Sequence, residues 1–504
     1  MTQESRNAAL LAASHYMRPE VVSDALPFRV SMAGDTLSPE INAQWDALSK
    51  KAARIALSSL ASLAKINELD HLGGGLELIQ PLLLTLGMID NEKSSFTIEH
   101  AHTSIGCYSV LAALGFLDET IVIDEFRRGL DIAGHVSWLP GGCELNGGRL
   151  GVMIPAAVGQ ALGLKAHHGD EAFMVCHCGD AGWISGQALN GFNVADLHHA
   201  PIIFIMHRNG IQLSGACHGI MPKDPRPIIR ALGVEVLEIE SLHDPAELHA
   251  TMRRARELAR GGKPSLIYPT GCRSTKDRRV DLRYFGDRHG ILREVETFAA
   301  KHEVPMDTEI WLTGSLMSFR DVVPMIECLF LVNGLPGGEA HHDGHMKGRD
   351  LATVLANPML LDTESDMAAL ASLRSAPPRR VVTKARPAPG SPNLVLSTTA
   401  IGFIELPAGG NTVSPRAGSE AAYAALAKEF PKQIFVASCD LDSSTKLAKT
   451  HKFLPKGHRF ECSIEEQVAA IMMNGVSVSS MKPQLNIFST FAAFMFRIAE
   501  QDSR

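Results

Sequence analysis

The sequence predicts an α/β protein built on a parallel sheet, and three observations carry that expectation. Apolar runs at residues 172–175, 202–206, 235–239 and 265–268 alternate with helical patterns at 186–197, 225–232 and 245–260, the repeat of a strand–helix–strand unit. Turn residues stand where strands end, notably Gly179-Asp180-Ala181 and Arg208-Asn209. Asp244 and Pro245 give the third sign, an N-cap followed by proline at the first helical position. In such sheets, ligands bind in the crevice at the carboxyl ends of the strands.

Size and composition bound the possibilities. A chain of 504 residues has room for two or three domains with large cores. Its 45% hydrophobic and 20% charged content is that of a globular protein, and a net charge of -7 gives no nucleic-acid surface. No apolar run reaches the roughly 18 residues of a membrane span. The N-terminus lacks a basic start followed by an apolar core, so a cytoplasmic location is expected. Nine scattered cysteines do not make a disulfide framework, and Cys176 and Cys178 read as buried thiols.

Along the chain, residues 1–40 carry little pattern. A helix is expected over 39–69, with Ile55, Leu57, Leu60 and Leu63 on its apolar face, then His71-Leu72-Gly73-Gly74-Gly75 and a second helix over 76–86. Glu99-His100-Ala101-His102 precedes an Ala-rich helix at 108–117. Phe126-Arg127-Arg128 and Gly134-His135 follow, then Pro140-Gly141-Gly142-Cys143-Glu144 and Gly148-Arg149-Leu150-Gly151, which open a helix over 152–164. The domain containing these elements is closed at 279. Residues 280–376 read as an intervening helical or irregular region, with helices at 322–332 and 366–373. Within it, His341, His342 and His345 lie beside Glu339 and Asp343 and read as a solvated loop or lid. Residues 377–393, rich in proline and basic side chains, read as a linker to a last, apparently incomplete α/β domain at 394–504.

The rim formed by Asp180 and Asn209 has a chemical reading of its own. One anionic and one neutral oxygen at adjacent strand tips suit Mg²⁺, which takes oxygen ligands octahedrally and completes its shell with phosphate and water. A backbone carbonyl near Ile211 offers a third protein ligand.

Asn209 lies 29 positions after Asp180, and the run GDAGWISGQALNGFNVADLHHAPIIFIMHRNGIQLSG resembles transketolase, a thiamin-diphosphate enzyme family. The likeness extends to His71 with its glycines, to His102-Thr103-Ser104-Ile105-Gly106, to Gly134-His135 and to the Pro140–Gly151 stretch. It continues through Ser414-Pro415-Arg416, Cys439-Asp440-Leu441-Asp442-Ser443-Ser444, Phe460 to Gln467, and Ser489 to Arg497. This resemblance implies a thiamin-diphosphate-binding fold and assigns roles residue by residue. Gly179, Asp180, Ala181, Asn209 and Ile211 would hold Mg²⁺ and the diphosphate, with Glu144 nearby. Asp440, Phe491 and Phe494 would line the pyrimidine. Glu466 would be the catalytic glutamate, and His71, His102 and His135 would work in the substrate pocket. Arg416, Ser444 and His289 would contact a sugar phosphate. Ser185 stands where the family carries an acid that links two sites, and Arg149 replaces a proline.

The implied reaction moves a two-carbon ketol unit from a ketose, expected as its phosphate, to an aldehyde. Each site would be assembled from both members of a dimer. Because the pyrimidine-binding part is short, a split enzyme completed by a second polypeptide is expected. A thiamin-dependent 2-oxoacid decarboxylase or acyloin synthase, and a non-catalytic cofactor-binding subunit, remain alternatives.

Overall fold

The structure is a computed structural model. It describes residues 2–16, 20–34, 36–64, 66, 73–128, 131–145, 148–208, 211–212, 215–217, 220–270, 279–288, 292–301, 305–307, 309–311, 362–384, 394–402, 414–480 and 482–491. The expected helix at 322–332 and the histidine cluster at 341–345 lie outside these.

The chain begins with α1 (Gln3–Ala13), β1 (Glu20–Ala25), α2 (Pro39–Ala64) and α3 (Gly73–Met88). Next come β2 (Ser94–Ile98), α4 (Ser104–Ala113), α5 (Glu119–Glu125), α6 (Met153–His168), β3 (Phe173–Gly179), α7 (Gly186–Leu197) and β4 (Ile202–His207). A short hairpin, β5 (Ile211–Gln212) and β6 (Gly215–Ala216), precedes α8 (Arg226–Ala231), β7 (Glu235–Ile239), α9 (Pro245–Arg260) and β8 (Ser265–Pro269). Five strands form one sheet in the order β2-β3-β4-β8-β7, every pairing parallel.

Both faces of that sheet are covered, which is why its strands read as nearly continuous apolar runs. Val175, Ile203, Ile205 and Ile267 pack with α2, α3, α4 and α9 on one side. Met174, Cys176, Cys178, Phe204 and Met206 pack with α6 and α7 on the other. Asp244 caps α9 as expected, accepting from the backbone N–H groups of Ala246 and Glu247. Strand β2 escaped the sequence reading because its run SSFTI is polar. It is buried throughout, and its hydroxyls are satisfied locally, Thr97 donating to the Leu145 carbonyl at 2.6 Å. The helix expected over 108–117 instead spans Ser104–Ala113, because Gly115 at φ +85° ends it in the left-handed region.

The chain continues through β9 (Arg279–Asp281), α10 (Leu282–Arg288), α11 (Leu292–Lys301), β10 (Glu309–Trp311), α12 (Glu364–Ser375) and β11 (Arg379–Lys384). β11 falls within the stretch read as a linker, which corrects that reading. It pairs antiparallel with β1 from Glu20↔Lys384 to Ala25↔Arg379. The basic residue that suggested a solvated linker is an anchor. Arg379 donates to the carbonyls of Leu86 (2.7 Å) and Ile89 (2.9 Å), satisfying groups at and just past the C-terminal end of α3.

The last described elements are α13 (Pro415–Glu429), β12 (Ile434–Ser438), β13 (Arg459–Glu461), α14 (Glu466–Ser477) and β14 (Leu485–Phe488). They include a second parallel sheet, ordered β13-β12-β14. Its core is continuous with the first: Phe435, Val468 and Met472 pack with Ile154, Val158 and Phe192.

Candidate functional site

Asp180 follows directly on β3, whose last residue, Gly179, lies opposite His207 of β4. The carboxylate therefore stands at a strand tip, as the spacing predicted, and only 6% of the residue is exposed. The Cys217 thiol donates to Asp180 Oδ1 at 3.3 Å. Cys217 comes just after β6, which pairs with β5 (Ile211↔Ala216), so the loop carrying Ile211 folds back onto Asp180. Asn209 lies outside the described residues.

A neighbour the sequence reading missed is Glu99. It follows β2, is fully buried, and accepts N–H groups from Gly179 (2.9 Å) and Gly151. It thus ties the 179–182 turn to the glycine loop before α6. A Cβ on Gly182 would lie 2.1 Å from Glu99 Oε1, so that turn tolerates no side chain there. Burial pushes the Glu99 carboxyl up to about 7, against the opposing pull of its two backbone donors. Ser185, in the place of the family's acid, caps α7 by accepting from Ala188 N at 3.2 Å.

The expected pocket histidines divide. His102 is exposed on the short turn Ala101–Thr103, and His135 is exposed too. Backbone bonds draw their segments together: Val136 N–H donates to the Ala101 carbonyl (3.0 Å), and the Ser104 hydroxyl to that of Gly134 (2.9 Å). His71 and His289 lie outside the described residues. Glu144 is held inside the chain, accepting from Gln160 Nε2 at 2.6 Å.

Behind this mouth sits a group of buried imidazoles that no motif announced. His100, His177 and His207 occupy the ends of β2, β3 and β4, with rings 4.7 Å apart (His100–His207) and 5.2 Å apart (His177–His207). His177 Nδ1 and His207 Nε2 share a hydrogen bond of 3.0 Å, and Thr85 Oγ1 meets His177 Nε2 at 3.0 Å. Burial and the neighbouring rings hold His100 and His207 well below the usual imidazole range, and His177 falls to about 3.

The second sheet presents the remaining candidates. Asp440 and Ser463, at the tips of β12 and β13, both adopt left-handed φ, +57° and +59°. Such values are uncommon for residues other than glycine and cluster at functional turns. Asp440 N–H donates to Glu461 Oε1 at 3.0 Å. Arg416, at the start of α13, donates to the Ser444 carbonyl, so two residues assigned to phosphate lie together. Glu466 opens α14, and the adjacent Gln467 accepts from Gln187 of α7 at 2.7 Å. Phe491 is 40% exposed, while Phe494 lies outside the described residues.

The described residues fit a metal–diphosphate group. Asp180 is a buried carboxylate at a strand tip, glycines at 179 and 182 keep the turn bare, and both His100 nitrogens are buried without a hydrogen-bond partner. Among the described residues, no helix is long and apolar enough to cross a membrane.

Fold and site define a class: a protein whose parallel sheet presents an acidic turn at its carboxyl edge, with a second parallel sheet packed alongside. Comparison with known proteins narrows it. Residues 145–280 match the family described as Dehydrogenase E1 component. The chain is 30% identical over 144 residues to the mitochondrial alpha 2 subunit of the Arabidopsis thaliana 2-oxoisovalerate dehydrogenase, covering 27% of this chain and 30% of that one. It is 25% identical over 239 residues to one of the subunits of apulose-4-phosphate transketolase from Actinobacillus succinogenes, covering 45% and 84%. Its fold is that of transketolase. The Pichia stipitis enzyme in complex with sedoheptulose-7-phosphate superposes with a TM-score of 0.56 at 17% identity, over 90% of this chain and 66% of that one. The Campylobacter jejuni enzyme gives 0.55 at 19% identity, again over 90% and 66%. The chain thus spans about two thirds of those transketolases and under a third of the Arabidopsis protein. Together these matches support a likeness to the thiamin-diphosphate-dependent, transketolase-like enzymes, whose fold the chain shares.

Proposed function

We propose that the chain is the cofactor-binding subunit of a transketolase-type enzyme. The reaction moves a two-carbon ketol unit from a ketose phosphate to an aldehyde and depends on thiamin diphosphate and Mg²⁺. Asp180, Asn209 and the Ile211 carbonyl would hold the metal and, through it, the diphosphate. When bound, thiamin diphosphate supplies the nucleophilic carbon and the electron-accepting ring that C–C cleavage needs. Glu466 would hold a proton at its carboxyl oxygen facing the pyrimidine, with Asp440, Phe491 and Phe494 around that ring. His71, His102 and His135 would bind substrate hydroxyls and carry protons at their ring nitrogens. Arg416, Ser444 and His289 would take the sugar's phosphate.

The observation that supports this reading best is the exposed Arg416 guanidinium seated on Ser444, a charge placed to receive a phosphorylated donor. Two relatives are each named as a single subunit of a transketolase, which supports assembly with a second polypeptide. The E1-type match over residues 145–280 favours a second reading, decarboxylation of a 2-oxoacid. A donor screen on the purified assembly separates them. Transfer of a glycolaldehyde unit from a ketose phosphate supports the transketolase reading, and CO₂ release from a 2-oxoacid without ketol transfer would replace it.

A further inference from the structure

His100 is 4% exposed, and neither of its ring nitrogens has a hydrogen-bond partner among the described residues. Burial and the neighbouring imidazoles keep the ring neutral, so one nitrogen carries a hydrogen and the other a lone pair, whichever tautomer is present. A buried donor and a buried acceptor left unmade are each costly, and native proteins rarely keep them without a water or a ligand. Among the described residues, the protein's own groups do not answer. His207 Nε2 is engaged with His177, and its Nδ1 is itself without a partner. The His177 carbonyl approaches the His100 ring, but it already accepts the Glu99 N–H at 2.7 Å and makes no bond of good geometry with either ring nitrogen. His102, whose ring centroid lies 6.0 Å away, faces the solvent.

The location says what is missing. The His100 side chain lies against Gly179, where an added Cβ would come within 3.3 Å of His100 Cβ. The glycine that opens the Gly179-Asp180-Ala181 turn therefore also makes room for this imidazole. On the functional reading above, that turn carries the cofactor's diphosphate, an oxygen-rich anion that accepts hydrogen bonds and fits a neutral N–H donor.

We propose that His100 is a cofactor-binding residue that donates its ring N–H to an oxygen of the diphosphate lying on the 179–181 turn. This rests on the chain binding thiamin diphosphate and adds a residue that the family likeness does not assign, since the likeness points to His102. His207, with its ring 4.7 Å from that of His100, packs against it and is a positioning residue.

The test is calorimetry on the full chain, in its native assembly, with Mg²⁺ plus either thiamin diphosphate or inorganic pyrophosphate. His100→Phe keeps a ring and removes both nitrogens; it should weaken both ligands about tenfold or more, the loss of one hydrogen bond to a charged group. His100→Asn restores an N–H near the Nδ1 position and should recover most of that affinity. Circular dichroism and thermal melting check the fold of each variant. Undiminished affinity in His100→Phe overturns the proposal, as does a defect confined to the ketose KM, which would give the residue to the substrate. If the unsubstituted protein binds neither ligand, the functional reading fails first. If it binds them and His100→Phe binds them equally well, only the inference about His100 falls.

Discussion

Glu99 shows how much of a site can hide from a sequence. It stands in Glu99-His100-Ala101-His102, where the family likeness drew attention to His102, while the structure gives burial to Glu99 and His100 and leaves His102 in solvent. Asp180 was legible because a strand tip followed by a glycine–acid turn is a local pattern. Glu99 was not, because its two partners come from residues 52 and 80 positions away. Its raised pKa has a consequence for stability. In the unfolded chain the carboxyl titrates near 4.5, and in the folded one near about 7. A folded-state pKa above the unfolded one favours the native state fully below pH 4.5, and that contribution is lost as pH rises towards 7. The loss is about 3 kcal/mol at roughly 1.4 kcal/mol per unit. The buried neutral imidazoles of His100, His177 and His207 act in the opposite sense as pH falls, so the Glu99 contribution is read by difference. In urea unfolding of the cofactor-free protein, Glu99→Gln should gain about 3 kcal/mol relative to the unsubstituted chain between pH 4.5 and 7.5. A constant difference would mean that Glu99 is not the source. Arg416 carries a second residue-scale prediction. Arg416→Ala should raise the KM for a phosphorylated ketose about tenfold while barely moving that for its dephosphorylated form, the pattern of a lost phosphate contact. Equal changes for both sugars would take Arg416 out of the phosphate site.

Among elements, the contact between α6 and α14 is the one the chain's organisation turns on, since it joins the two sheets. Of the two helices only α6 was expected, from the glycine loop before it; at α14 the sequence drew attention to Glu466 alone. Their contact was not legible, because the residues that permit it are glycines inside the helices. A Cβ on Gly159 would lie 1.8 Å from the Met472 carbonyl oxygen, and one on Gly475 would lie 1.9 Å from that of Ala156. Those obstacles are backbone atoms, so no rotamer relieves them and the helices must separate. Glycine weakens an isolated helix by up to about 1 kcal/mol relative to alanine, so a helix considered by itself would gain from the substitution. Overpacking commonly costs about 1–3 kcal/mol, and here it should win. Gly159→Ala and Gly475→Ala should each lower stability by about 2 kcal/mol in chemical denaturation, against an unchanged or stabilised, sterically open control such as Gly418→Ala, which meets nothing within 4 Å. Retained or increased stability in both variants would show that the two helices do not pack this closely. The strand β11 teaches the same lesson from the other side. Arginines and a nearby proline run suggested a linker, yet Arg379 is buried with its guanidinium on carbonyls at the end of α3.

For the whole molecule, the parallel sheet was readable because each strand–helix repeat is short and each strand, buried on two faces, is an unbroken apolar run. Which sheets share a core was not, since that depends on contacts such as Asn190 Nδ2 to the Cys462 carbonyl at 3.1 Å, between residues 272 positions apart. The same contacts fix how Glu466 is presented: α14 begins against α7, where Gln467 meets Gln187. If the family's arrangement holds, the Asp180 of one copy works with the Glu466 of another, and inactive variants should complement. Asp180→Ala would lose the metal and Glu466→Gln the proton at the pyrimidine, leaving each assembly inactive by itself. After equimolar mixing and exchange of chains in a two-fold dimer, half the dimers are mixed, and each mixed dimer holds one intact site beside one doubly substituted site. About a quarter of the original activity should then return. Were each site built within one chain, every site in the mixture would carry a substitution and no activity would appear. Steady-state ketol transfer, measured before and after exchange with the second polypeptide in excess, therefore distinguishes a shared site from a self-contained one.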